Sequence, residues 1–140
     1  MSMLGGLSVG LLWTCLAAMA APQPRASEAV PKVSEFEKLK AEAEANLETG
    51  EAMDYMFAAR KAIEAATNSA HRTCSDKLPS GTNPAFEFIV GVGRDGMPRQ
   101  VLVQPEDGYS VCFAHAFAAN KIGVPPKQPF HIYIDMGSDK

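Results

Sequence analysis

The chain has 140 residues, 46% apolar and 21% charged, with 13 basic against 16 acidic side chains and a net charge of −3. Those proportions describe one globular domain with a single modest core. With so mild an acidic balance, no basic run and no aromatic-interleaved basic patch, nucleic acid and anionic membrane surfaces are poor partners.

Residues 1–20 carry no charge, and the apolar stretch ends in Ala18-Met19-Ala20, the small-x-small pattern that a signal peptidase accepts. The expectation is a secretory signal cleaved after Ala20, with retention as a membrane anchor as the alternative. A lipid anchor on Cys15 is set aside, because Trp13 and Thr14 replace the small residues that lipidation requires. Residues 21–33 hold Pro22, Pro24 and Pro31 among alanines and single charges, a composition that favours an extended linker.

Ser34 and Glu37 have the spacing of a capping box and open a first helix expected to run to about Glu48 and stop at Gly50. Phe36, Leu39, Ala43 and Leu47 form its narrow apolar stripe; Glu35, Lys38, Lys40, Glu42 and Glu44 form a solvated face. A second helix is expected over about Glu51–Arg72, with Met56, Ala59, Ile63, Ala66 and Ala70 on one side and Cys74 continuing the row. Met53, Tyr55, Met56 and Phe57 at this spacing fit core packing better than a ligand groove. Residues 34–77 thus form a helical pair, similar to one tetratricopeptide-type hairpin, although a single copy lacks the stacked neighbours such a repeat needs.

Leu78 to Pro84 is dense in turn formers and separates this pair from a β-rich stretch, residues 85–136. Phe86, Phe88, Val90 and Val92 alternate onto one face, the period of a half-buried strand. Asp95-Gly96 is expected to supply the positive φ angles of a tight hairpin. The return strand carries Val101 and Val103 on the buried face, with Pro98 restricted to its start or to a sheet edge. A helix over Tyr109–Lys121 places Phe113 and Phe117 one turn apart; after Pro125, Pro126 and Pro129, a last strand alternates Phe130, Ile132 and Ile134 with His131, Tyr133 and Asp135.

Removal of the signal leaves Cys74 and Cys112 as an even pair in an exported chain, expected to form a disulfide. The alternative joins His71, Cys74, Cys112 and His115 in a tetrahedral metal site, since residues three apart share a helix face; a disulfide would consume both sulfurs. Gly91-Val92-Gly93-Arg94-Asp95-Gly96 matches a dinucleotide-binding fingerprint but leads into a strand with Pro98 near its start instead of a helix, so the glycines are assigned to the hairpin. No nucleophile motif accompanies the histidines, so neither a catalytic constellation nor a cofactor is expected.

The order of strand, Asp-Gly hairpin, strand, cysteine-bearing helix, Pro-Pro step and strand resembles the C-terminal domain of TonB-type energy transducers, and more closely the AgmX/PglI-type domains. The likeness rests on Phe86 to Gly96, Val101-Leu102-Val103, Pro125-Pro126 and Phe130 to Ile134. It implies a β-β-α-β domain working in the periplasm of a Gram-negative bacterium, engaging a partner protein through an exposed strand. The chain departs from a working transducer in its short linker and in the helical pair before the domain. The expected fold class is α+β, the helical pair joined to a TonB-C-terminal-like unit in one compact domain. The expected function is a soluble, non-catalytic, exported protein-binding module whose partner is another envelope protein. The alternatives are an immunity- or inhibitor-type protein that binds an exported enzyme, or a membrane-anchored TonB-like transducer.

Overall fold

A computed structural model describes residues 34–137. The expected signal and linker lie outside the described residues.

The described residues form a mixed α+β fold: α1 (Glu35–Asn46), α2 (Gly50–Cys74), β1 (Glu87–Val92), β2 (Pro98–Gln104), α3 (Gly108–Ala118) and β3 (His131–Asp135), with a short 3₁₀ turn at Ser75–Lys77. None of these helices is long and apolar enough to cross a membrane. The strands make one antiparallel sheet in the order β2-β1-β3.

Ser34 caps α1, its hydroxyl accepting from the Glu37 N–H at 3.2 Å. The reciprocal box forms elsewhere: Asp107 accepts from the Ser110 N–H (2.8 Å) while Ser110 Oγ accepts from the Asp107 N–H (2.9 Å), and α3 starts there. Gly50 does not stop a helix. Thr49 accepts from the Ala52 N–H, so Gly50 becomes the first residue of α2, a position where glycine's conformational freedom costs little. At the far end, α3 stops three residues before the expected Lys121, where Asn120 Nδ2 donates to the carbonyl of Ala116 (2.9 Å).

The two faces of the sheet are both covered. Phe86, Phe88, Val90 and Val92 face α3 and α2; Phe88 packs edge-on against Phe113 and Phe117 at 5.1 and 5.2 Å, and Tyr55 of α2 packs edge-on against Phe130. Glu87, Ile89 and Gly91 point to the opposite face, where α1 lies, and Ile89 and Gly91 are buried too. The half-buried strand expected from period 2 is therefore a central strand buried on both sides. The helical pair is likewise no hairpin: α1 packs on the sheet, chiefly on β3, whereas α2 packs along α3 on the other side of the sheet. The Phe36/Ala43 stripe on α1 finds a sheet face to cover, and the apolar row on α2 finds α3.

The hairpin loop is also longer than expected. Gly96 N–H donates to Gly93 C=O and Gly93 N–H to Met97 C=O, both at 2.9 Å, so Arg94-Asp95-Gly96 form a three-residue loop with Gly96 at φ +79°. Asp95 accepts from the Met97 N–H at 3.1 Å instead of taking a tight two-residue turn. A Cβ on Gly96 would meet the Gly123 backbone at 2.6 Å, because Ile122 N–H donates to Gly96 C=O and docks the next connection onto the loop. Pro98 is the first residue of an edge strand, as its missing amide requires.

Candidate interaction groove

The Sγ atoms of Cys74 and Cys112 lie at disulfide distance, with Cα atoms 5.9 Å apart, fastening the end of α2 to α3. One turn before each cysteine, His71 Nδ1 and Tyr109 Oη share a 2.7 Å hydrogen bond. Burial raises the Tyr109 phenol above its ordinary pKa, which keeps it neutral. His115 faces away from this cluster, toward β2. The structure therefore brings together His71, Cys74 and Cys112 but not His115, and no group of three His, Cys, Asp or Glu side chains among the described residues converges to hold a metal.

His131, expected on an outward strand face, lies beneath α1 with its side chain 14% exposed and Nδ1 3.8 Å from Glu42. On the same face Lys40 Nζ donates to Glu87 Oε1 at 2.8 Å and sits 4.5 Å over the Tyr133 ring, while the Tyr133 hydroxyl donates to Glu87. Hydrogen bonds from Lys40 and then Tyr133 hold the Glu87 carboxyl below the usual carboxylate range. Hydrogen bonding to Glu87 correspondingly raises the Lys40 ammonium above its ordinary value. Lys40, Glu87 and Tyr133 satisfy one another, so this trio fastens α1 to the sheet.

The accessible feature is the β2 edge. Val92 N–H donates to Phe130 C=O and Met136 N–H to Phe86 C=O, so the even-numbered residues of β1 bond to β3. The odd-numbered ones then bond to β2 through Gln104, Leu102 and Gln100. Val101 and Val103 accordingly turn their N–H and C=O groups outward, on a side that no strand of the sheet covers. An open groove of about 390 Å³ lies between this edge and α3, lined by Val101 and Val103, by Val111, Ala114 and Ala118, and by the polar groups of Arg99, Glu106 and His115. Beside β3 the situation differs. Leu47 and Met56, on either side of the α1–α2 connection, close against Phe130–Tyr133 and leave about 10 Å³ there, while an open groove of about 350 Å³ lies at the start of β3, between Glu42, Ala45 and Asn46 of α1 and Lys127, Gln128, Pro129 and His131.

Alternation alone does not reveal this groove. One signal was present: α3 is apolar around most of its circumference, with Val111, Ala114 and Ala118 on a different side from Phe113 and Phe117. A helix of that kind is covered on more than one side. The sheet takes the phenylalanines, α2 takes Cys112, and the third side lines the groove.

No protein-family model, curated protein or solved structure matches this chain.

Proposed function

We propose that this chain is an exported, non-catalytic protein-binding module that accepts an extended segment on the outer edge of β2, in the manner implied by its resemblance to TonB C-terminal-like domains. The observation that carries the proposal is the coincidence of edge groups at Val101 and Val103, which pair with no strand among the described residues, with an open groove beside Val111, Ala114 and Ala118 of α3. An added strand gains main-chain hydrogen bonds from the edge, and its alternate side chains find the groove. The order strand, hairpin, strand, helix, strand and the small antiparallel sheet support the TonB-like arrangement, and the cysteine pair at disulfide distance fits an oxidising compartment such as the periplasm.

Hydrogen exchange and crosslinking test the proposal. A photo-crosslinking residue in place of Val101 should capture a protein in cells, and binding of that protein should slow exchange of the Val101 and Val103 amides. The same residue in place of Glu64, on an exposed side of α2, should capture nothing. With the crosslinker moved to Val111, which lines the same groove, Val101→Pro deletes an outward amide without touching the β1 ladder and should abolish capture. Equal capture at positions 101 and 64, or capture at 111 indifferent to Val101→Pro, refutes edge binding. The mature chain should begin at Ala21 and show the mass deficit of one disulfide; a mass retaining residues 1–20 would instead favour the anchored alternative.

A further inference from the structure

We infer that the exposed apolar stripe at the amino end of α2 packs against the same stripe of a second copy of this chain, as a two-fold antiparallel helix pair. The inference is independent of the β2 edge.

Spacing alone assigns Met53, Tyr55, Met56 and Phe57 to the core, and the structure divides them. Tyr55 is buried, its ring edge-on to Phe130 and its hydroxyl donating to Gly123 C=O at 3.0 Å; Met56 is half-buried beside Phe130–Tyr133. Met53 and Phe57 lie on another side of α2 and are 55% and 83% exposed. With Leu47, 41% exposed at the α1–α2 connection, they are three of the five large apolar side chains exposed among the described residues. Apolar surface gathered in this way around two turns of one helix marks a contact site. Gly50, Met53 and Phe57 stand at i, i+3 and i+7, one side of the helix. A Cβ on Gly50 would meet nothing within 4 Å, so a neighbouring ring can lie against the helix backbone there.

Charge selects the occupant. Glu48, Glu51 and Asp54 lie on the amino-terminal side of Phe57, and Arg60 and Lys61 lie on its carboxy-terminal side. Antiparallel pairing sets the acidic end of each stripe against the basic end of the other; parallel pairing would set like against like. A two-fold axis between Met53 and Phe57 lays each Met53 on the opposite Phe57 and brings Glu48 near Lys61 at both ends. Arg60 is already engaged, its Nε donating to Glu64 Oε1 at 2.8 Å, whereas Glu48 and Lys61 have no ion-pair partner among the described residues. The overlap ends near Lys61, so Glu64 stands beyond it.

The stripe lies toward β3, where Leu47 and Met56 close against Phe130–Tyr133, and β2 is the opposite edge of the sheet. Pairing through α2 therefore leaves both β2 edges open, and one dimer presents two of them to a partner displayed in several copies. Two turns of helix and a connection from each copy fall at the small end of specific interfaces, about 1,200 Å² or less. The dimer accordingly forms as concentration rises.

Sedimentation velocity on the mature chain, across a wide concentration range, tests this. The wild type should pass from monomer to dimer. Phe57→Ser removes a ring from the surface, so it should leave the thermal midpoint unchanged and weaken dimerisation roughly tenfold or more. Lys61→Glu and Glu48→Lys, each alone, should weaken it about threefold to tenfold. Their equimolar mixture should recover wild-type association, because the mixed pair places opposite charges at both ends. Val101→Pro, on the β2 edge, should leave association unchanged.

A wild type monomeric throughout, a Phe57→Ser protein that dimerises like the wild type, or a mixture that stays weak overturns the inference. Loss of the dimer in Val101→Pro also overturns it, because the contact then lies at the sheet edge. A photo-crosslinking residue at position 57 that captures a different protein in cells, while the purified chain stays monomeric, gives the stripe to that protein and overturns self-pairing.

Discussion

The two faces of the sheet are held by different physics. Against α2 and α3, Phe86, Phe88, Phe113, Phe117 and Phe130 are almost fully buried and pack as an aromatic cluster. Against α1 only Phe36 and Ala43 of the helix are buried, and contact runs through Lys40, Glu87 and Tyr133, with Glu42 near His131 and Glu35 near Gln100. Dense apolar packing contributes stability that is insensitive to pH and salt, whereas a half-exposed ionic clasp contributes little and depends on both. The comparison locates the rigid scaffold on the α3 side, the side that also lines the β2 groove.

Truncation of the aromatic face should give the largest effect. Phe113→Ala removes a fully buried ring that touches Phe86, Phe88, Tyr109 and Phe117, and should cost roughly 3 to 5 kcal/mol in denaturant unfolding. A loss below about 1 kcal/mol would mean that this face is not the scaffold.

Next comes the link that ties α2 to that face. The Cys74–Cys112 bond closes a loop of sequence separation 38, worth about 4 kcal/mol on chain-entropy grounds. Cys112→Ser should lower stability by about 2 to 4 kcal/mol in oxidising buffer and leave it near that of the reduced wild type once a reductant is added. Equal stability of the two proteins in oxidising buffer would remove the disulfide from the account.

Gly96→Ala should have a smaller but definite cost, about 1 to 3 kcal/mol, from a non-glycine residue at φ +79° and a Cβ pressed on the Gly123 backbone. The affected contact is local, so amides of the hairpin and of residues 122–123 should exchange faster while the Phe113 amide stays protected.

The wet face should give the smallest effect, with the clearest pH signature. The folded Glu87 carboxyl lies below its ordinary value of 4.5, so its contribution is full above that value and fades as pH falls through the lowered folded one. Glu87→Gln should cost less than about 1 kcal/mol at neutral pH and flatten the acid side of the stability profile. For Lys40 the sign is opposite: a raised folded value gives stability that is present below 10.5 and lost only in strong alkali, so no change between pH 7 and 9 is expected from it. An unchanged acid limb in Glu87→Gln would show that the clasp is not formed in solution.

Much of the α3 side was legible in the sequence. Phe86, Phe88, Val90 and Val92 alternate, Phe113 and Phe117 stand one turn apart, and Cys74 continues the row of small residues on α2; each pattern belongs to one element and survives folding intact. The α1 side was not legible, because its decisive contacts join residues far apart in sequence. Lys40 to Glu87 spans 47 positions and Tyr133 to Glu87 spans 46. Lys40 and Glu87, taken from the sequence, are indistinguishable from other surface charges.

The sequence by itself determined which segments become helices and strands, which faces are apolar and that Cys74 continues the inner row of α2, because these depend on local periodicity and capping groups. Tertiary structure decided that α1 and α2 part to opposite faces, that β1 is buried on both sides, and that β2 keeps an open edge while the α1–α2 connection closes in beside β3. Those outcomes turn on which covering element reaches which surface first and best, a competition among distant segments that local patterns do not encode.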